Sequence, residues 1–240
     1  MSLRHTARKL LWNFGLDLCK FEPELHPIAR RRMFLTSLGT DLVLDVGANA
    51  GQFAQQLRVD TEYRGRIVSF EPLKSAFELL AASADADPLW EVNHCALGGE
   101  DGSGEINVAG NSFSSSLLDM LPRHEESAPQ SKYVGRESIT IKRLDSVFED
   151  IADANSRVYL KIDTQGFEDR VISGAENSLA RIDAIQMELS LEPLYAGEVT
   201  FTDMCSRLRG LGYQLVSVES GFMDPKTGQV LQVDGVFQRR

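Results

Sequence analysis

Cysteine is scarce in this chain. Its 240 residues hold three, Cys19, Cys95 and Cys205, odd in number, far apart and set in apolar patterns. That excludes a disulfide framework and a metal knuckle, and leaves reduced core thiols. Basic charge is also short: 25 Lys and Arg stand against 35 Asp and Glu, a formal net charge of -10. A phosphate backbone would be repelled, so no nucleic-acid partner is expected and a small-molecule or glycan substrate is favoured. No apolar run approaches the roughly 18 residues that cross a bilayer. At the start, Arg4, His5, Arg8 and Lys9 precede Leu10-Leu11-Trp12, but Asn13 and Asp17 interrupt the run and no small-residue cleavage site follows. The segment reads as an amphipathic helix docking Leu10, Leu11, Phe14 and Leu18 on the domain, with peripheral contact to a membrane surface or a partner as the other reading. A cytoplasmic protein is expected. Internal repeats and low-complexity tracts are missing too, so one domain is expected over 39–240, with 1–38 as a helical extension packed on its core.

What is present alternates. Buried-strand patterns at 42–46, 66–70, about 90–96, 104–109, 137–142, 157–162 and 184–190 are interleaved with helical ones at about 52–58, 74–84 and 168–180. This predicts a mostly parallel sheet covered on both faces. A helix near 201–211, a strand from Tyr213 to Glu219, the turn Asp224-Pro225-Lys226-Thr227-Gly228 and a strand from Val230 to Phe237 close the domain as a hairpin. The Ser-, Gly- and Pro-rich stretch 110–136 is long enough to be a lid or mobile loop, and His124 within it is a weaker candidate base or an exposed loop histidine.

The apolar run Leu42 to Val46 enters Asp45-Val46-Gly47-Ala48-Asn49-Ala50-Gly51, a turn with two glycines four apart. Gly47 lets the chain leave the strand sharply and a ligand approach the backbone, while Asp45 can accept hydrogen bonds from loop amides or a ligand ammonium. Twenty residues on, Arg66 to Phe70 ends in Glu71-Pro72, and Glu71 can accept from two ribose hydroxyls. The pair resembles the S-adenosylmethionine (SAM) site of Rossmann-like methyltransferases. A dinucleotide site is the competing chemistry, but Asn49 stands where a middle glycine would let the backbone reach a pyrophosphate. The antiparallel hairpin at the end also favours the methyltransferase. Cys95 and Ala96 are small enough for their strand end to pass an adenine ring, or they are plain core.

Lys161 and Asp163 sit at the C-terminal end of the strand 157–162, and Glu188 near the end of 184–190, where open α/β sheets bind ligands. Buried charge there needs a partner. Converging on the pocket mouth, these residues suit general acid/base work; alternatively, Lys161 pairs with Asp163 or Glu188 to hold the sheet end together.

These segments together make the chain similar to FkbM-family methyltransferases over roughly 35–239. The resemblance rests on the glycine turn, Phe70-Glu71-Pro72, Ala96-Leu97-Gly98, Asn111 to Ser116, Arg143-Leu144-Asp145 and above all Lys161-Ile162-Asp163-Thr164-Gln165-Gly166-Phe167-Glu168. Many relatives carry glutamate at position 165, so a role for that carboxylate does not carry over; a Thr-Gln subgroup also shows Glu188-Leu189-Ser190-Leu191 and Pro193-Leu194-Tyr195. The resemblance implies a class I α/β fold, a mostly parallel seven-stranded sheet with an antiparallel C-terminal hairpin strand and helices on both faces. It also implies SAM-dependent O-methylation of a sugar hydroxyl in a glycan or glycolipid, or of a polyketide hydroxyl. SAM would be held by Asp45, Gly47, Ala48, Asn49, Gly51, Glu71, Pro72, Cys95 and Ala96. Asp163 is the candidate base, with Lys161 and Glu188 fixing its ionisation and orienting the acceptor; alternatively Asp163 and Glu188 hold Mg²⁺. A nicotinamide oxidoreductase and a non-catalytic SAM-binding partner remain as rival classes.

Overall fold

The computed structural model describes residues 3–240. Two helices, α1 (Leu3–Trp12) and α2 (Pro27–Leu38), precede β1 (Leu42–Val46), α3 (Gln52–Val59), β2 (Arg66–Phe70), α4 (Lys74–Ala84), β3 (Trp90–Asn93), β4 (Ala96–Leu97) and β5 (Gly102–Ala109). Then come α5 (Pro122–Ser127), β6 (Tyr133–Lys142), α6 (Leu144–Ile151), β7 (Val158–Ile162), α7 (Glu168–Ser173), β8 (Ile182–Ser190), α8 (Phe201–Gly210), β9 (Tyr213–Ser220) and β10 (Gln232–Arg239). The main sheet runs β3-β2-β1-β7-β8-β10-β9. Only β10 is antiparallel to its neighbours, inserted between β8 and β9.

Side chains alternate across a strand, so the central strands serve two cores at once. Leu42, Leu44 and Val46 of β1 and Val158, Leu160 and Ile162 of β7 join Leu144, Phe148, Val171, Met204 and Leu208 from α6, α7 and α8 on one face. Val43 and Tyr159 join Leu35, Ala54, Leu57 and Leu80 from α2, α3 and α4 on the other. Continuous burial along β1 and β7 explains their unbroken apolar patterns.

Four expectations change. The strand read at 90–96 stops at Asn93; the chain crosses at His94-Cys95, and Ala96-Leu97 pairs with β6 in a second sheet of order β4-β6-β5. The helix read over 168–180 ends at Ser173, because Gly174 packs so tightly on Gly98 that a β-carbon would overlap the Gly98 carbonyl. The stretch 110–136 is a folded cover rather than a loose loop: Ser116 bridges to Asn107, Met120 bridges to Tyr195, and α5 lies within it. At the start, Leu10, Phe14 and Leu18 are 59%, 74% and 71% exposed instead of docked, whereas Leu35 of α2 is buried in the core. The sequence pattern misses α2 because its interior carries Arg30-Arg31-Arg32, whose guanidiniums reach Ser217, Glu219 and Glu62.

Gly174→Ala is expected to cost about 2 kcal/mol or more through this backbone overlap. Urea unfolding checks it; stability equal to the wild type would mean that the contact relaxes freely.

Candidate active site

β1 and β7 pair in parallel with Asp45 opposite Lys161. Beyond the pairing, Gly47 turns off β1 with φ 74°. A β-carbon there would overlap the Asp163 carbonyl, so only glycine lets the two strand ends close together. The Gly47 and Ala48 amides donate to Phe70 O at 3.0 and 3.1 Å, which brings the end of β2 beside the turn. Glu71 is thereby placed over it, 4% exposed. Its Oε2 accepts from the Asn49 amide and its Oε1 from the Leu73 amide, each at 2.8 Å. Burial pushes this carboxyl up to about 7, against the pull of the two amides and Lys161.

A cleft of about 240 Å³ opens at this edge, lined by Gly47, Asn49, Glu71, Pro72 and Ala96 on one side and by Asp163, Gln165 and Glu188 on the other. A larger hollow of about 400 Å³ lies between α2 and β9, but none of the expected site residues lines it, and the chemistry belongs to the smaller cleft. Three residues expected at the cofactor turn away. Ala48 and Cys95 are core side chains, 3% and 5% exposed, and burial raises the Cys95 thiol. Gly51 faces Trp90, which a β-carbon would meet at 2.8 Å, so it is a packing glycine.

Asp45 also lies beneath the cleft wall rather than in it. Fully buried, it stands 3.2 Å from Lys161 Nζ, which donates to Gly47 O at 3.2 Å and lies 3.5 Å from Asp163 Oδ2. Burial acts to lower the lysine's pKa, but the Asp45 and Asp163 carboxylates outweigh it and hold Lys161 charged. Lysine therefore pairs chiefly with Asp45, a partner the sequence reading did not assign to it, and with Asp163 second.

The two acidic residues are joined by an amide. Gln165 Nε2 donates to Asp163 Oδ1 and to Glu188 Oε2, both at 2.8 Å, while its Oε1 accepts from the Tyr195 hydroxyl at 2.8 Å. This set of partners fixes which end of the amide carries nitrogen. Gln232 Nε2 adds a second donor to Glu188 Oε2 at 2.9 Å. Burial, reinforced by the Asp163 and Asp234 charges, raises Glu188 well above the usual carboxyl range. The residues do not fit Mg²⁺: the Gln165 amide nitrogen already bridges the two carboxyls, donating to both. Among the described residues no group of three or more His, Cys, Asp or Glu is arranged to hold a metal.

His124 is neither exposed nor at the cleft. It is 3% exposed, with its ring 5.1 Å from that of Tyr195 and 5.2 Å from that of Phe222, and burial lowers its pKa to about 4. Sequence reasoning missed Gln165 as a hub, Tyr195 as its anchor and Gln232. The first two stand inside quoted motifs; Gln232 had no signal, since antiparallel pairing alone brings it opposite Ser190.

The topology, one antiparallel strand in an otherwise parallel seven-stranded sheet with an acidic residue ending β2, defines the Rossmann-like methyltransferase class. A family model described as the methyltransferase FkbM domain matches residues 45–215. The chain belongs to the FkbM methyltransferase family. Among solved structures it is similar to an FkbM methyltransferase from Methylobacillus flagellatus (14% identity, TM-score 0.52), the match covering 82% of this chain and 43% of that one. The chain thus spans less than half of that protein. An rRNA methylase from Streptococcus thermophilus (9% identity, TM-score 0.49) matches over 92% of this chain and 99% of its own. LepI in complex with SAM (13% identity, TM-score 0.45) matches over 97% and 52%. A search of curated protein sequences finds no match.

Two substitutions test the geometry by urea unfolding. Lys161→Met is expected to cost about 3–5 kcal/mol by stranding Asp45 in the core, with much of that regained when Asp45→Asn is added. Gln165→Glu replaces two donated hydrogen bonds with a third acid. The folded state then holds a proton that the unfolded chain releases above about pH 4–5, so the variant should lose stability as pH rises, by roughly 1–3 kcal/mol more at pH 8 than at pH 5. A pH-independent loss would contradict the crowding of carboxyls.

Proposed function

We propose that this protein is a SAM-dependent O-methyltransferase acting on a sugar hydroxyl in a glycan or glycolipid. One observation carries the reading: a single cleft holds Glu71 on one side of Gly47 and the Asp163–Gln165–Glu188 cluster on the other. Each Glu71 oxygen takes one backbone amide, which leaves lone pairs to accept from two ribose hydroxyls. Gly47 and Asn49 would carry the rest of the cofactor, and Ala96 leaves room for the base. SAM, when bound, supplies an activated methyl group on a sulfonium.

The protein's own residues position and deprotonate the acceptor. An alkyl hydroxyl needs its proton taken as its oxygen attacks, a contribution of about 10²–10⁴ in rate. Asp163 is the group for that role: it lines the cleft, is partly exposed, and is held by Gln165 and Lys161. Glu188, anchored by Gln165 and Gln232, lines the cleft beside it and orients an acceptor oxygen. The acceptor's hydroxyl proton would pass to Asp163, held in place by Gln165 and Lys161.

Calorimetric titration with S-adenosylhomocysteine tests the cofactor half. Micromolar binding, abolished or weakened at least tenfold in Glu71→Ala, is expected; no binding to the wild type would refute the methyltransferase reading and direct the search to nicotinamide nucleotides. Ribose donors favour ionised Glu71, so binding should release a proton near pH 7 and weaken as pH falls below about 7. The acceptor half is tested with a panel of methyl glycosides and simple polyketide alcohols. Asp163→Asn should lower kcat by about 10²–10⁴ with S-adenosylhomocysteine affinity unchanged; turnover only on the polyketide alcohols would replace the sugar assignment.

A further inference from the structure

The segment before α2 buries little of its apolar surface. Leu10, Trp12, Phe14, Leu16, Leu18 and Phe21 are all between 51% and 74% exposed. Scattered exposed apolar residues are ordinary, but six large ones within twelve positions make a patch that calls for a cover.

Charge and length say what kind of cover. No acidic residue precedes Asp17, while Arg4, Arg8 and Lys9 fall in that stretch, in a chain whose net charge is -10. The acidic body as a whole would be repelled by an anionic surface, whereas this end carries the charge to approach one. In α1, Ala7, Leu10 and Leu11 share one side at helical spacing, continued by Phe14, and Arg8 and Lys9 lie off it. The Trp12 indole and Arg8 both donate to Asp17, tying the helix end to the chain that follows. Ten residues make about 15 Å of helix, and no helix among the described residues is long and apolar enough to cross a membrane. Such a helix lies in the interface, its apolar side in the acyl boundary and its basic residues among headgroups.

Position matters as well. Arg31 of α2 lies over the Phe53 ring at 5.2 Å, and the same ring lies 5.4 Å from Lys161 Nζ. One turn later Phe34 meets Tyr159, nearer the start of β7. The helix α2 thus descends from the cleft edge of the sheet toward the strand starts, and the preceding segment joins it at the cleft edge.

We propose that residues 3–21 bind the surface of an anionic lipid bilayer and hold the cleft edge toward it. The binding stands by itself. Its value for catalysis, presenting the cleft to a glycolipid headgroup, rests on the function proposed above.

Co-sedimentation of the full chain with vesicles of 70% phosphatidylcholine and 30% phosphatidylglycerol, and with pure phosphatidylcholine, tests this. Binding to the anionic vesicles is expected, at least tenfold tighter than to neutral ones and weakened by 0.5 M salt. Leu10→Glu with Phe14→Glu should abolish it while S-adenosylhomocysteine affinity stays unchanged, which separates failure here from failure of the methyltransferase reading. Equal binding to both vesicle types, no binding to either, or retention in the double variant would overturn the proposal. So would light scattering that shows a wild-type oligomer broken by the same variant without vesicle binding, since a second copy would then cover the patch.

Discussion

A buried ion pair governs the ligand-binding edge of this protein. Asp45 and Lys161 face each other across β1 and β7, and the cost of removing both charges from water is offset only because each has further partners. Lys161 reaches on to the Gly47 carbonyl and Asp163, and Asp45 receives the Ser69 hydroxyl from β2. One pair therefore ties three adjacent strand ends together at the level where the sheet gives way to its loops. The glycine turn, Glu71 and Asp163 take their positions from that tie.

The two walls of the cleft differ in how their acids are kept. Glu71 is surrounded by main-chain amides and titrates near neutrality, so its charge responds to whatever donors arrive. Glu188 is surrounded by side-chain amides, and burial with neighbouring negative charge holds its pKa well above the usual carboxyl range. Asp163 lies between the lysine and the glutamine, the most exposed of the three. Gln165 makes this division possible, because one NH₂ group satisfies two acids that would otherwise repel each other. A glutamate at that position would put a third acid where the bridging donor now stands.

Most of the fold was readable because the central strands are buried on both faces and so carry an unmistakable pattern, and because the closing hairpin has its own turn chemistry. Glu71, Asn49, Asp163 and Glu188 line one cleft, since strand ends of a parallel sheet converge there by topology. What was not readable depends on the third dimension. Cys95 looks like any small residue at a strand end until the chain crosses to the second sheet. Gly51 looks like a ligand-binding glycine until Trp90 is seen against it. The apolar positions near the start suggested docking, and only their exposure shows that nothing in the described chain receives them.

Of the four described residues with side chains that hold left-handed backbone conformations, Asn49, Ser112 and Gln165 line the cleft, and Glu62 does not. Such conformations persist only where the surroundings enforce them. The contour of the cleft is consequently set by main chain locked from behind, and the groups that meet a ligand are mounted on it as separable fittings. Exchanging a fitting would therefore change what the cleft receives while leaving the frame that holds it unaltered.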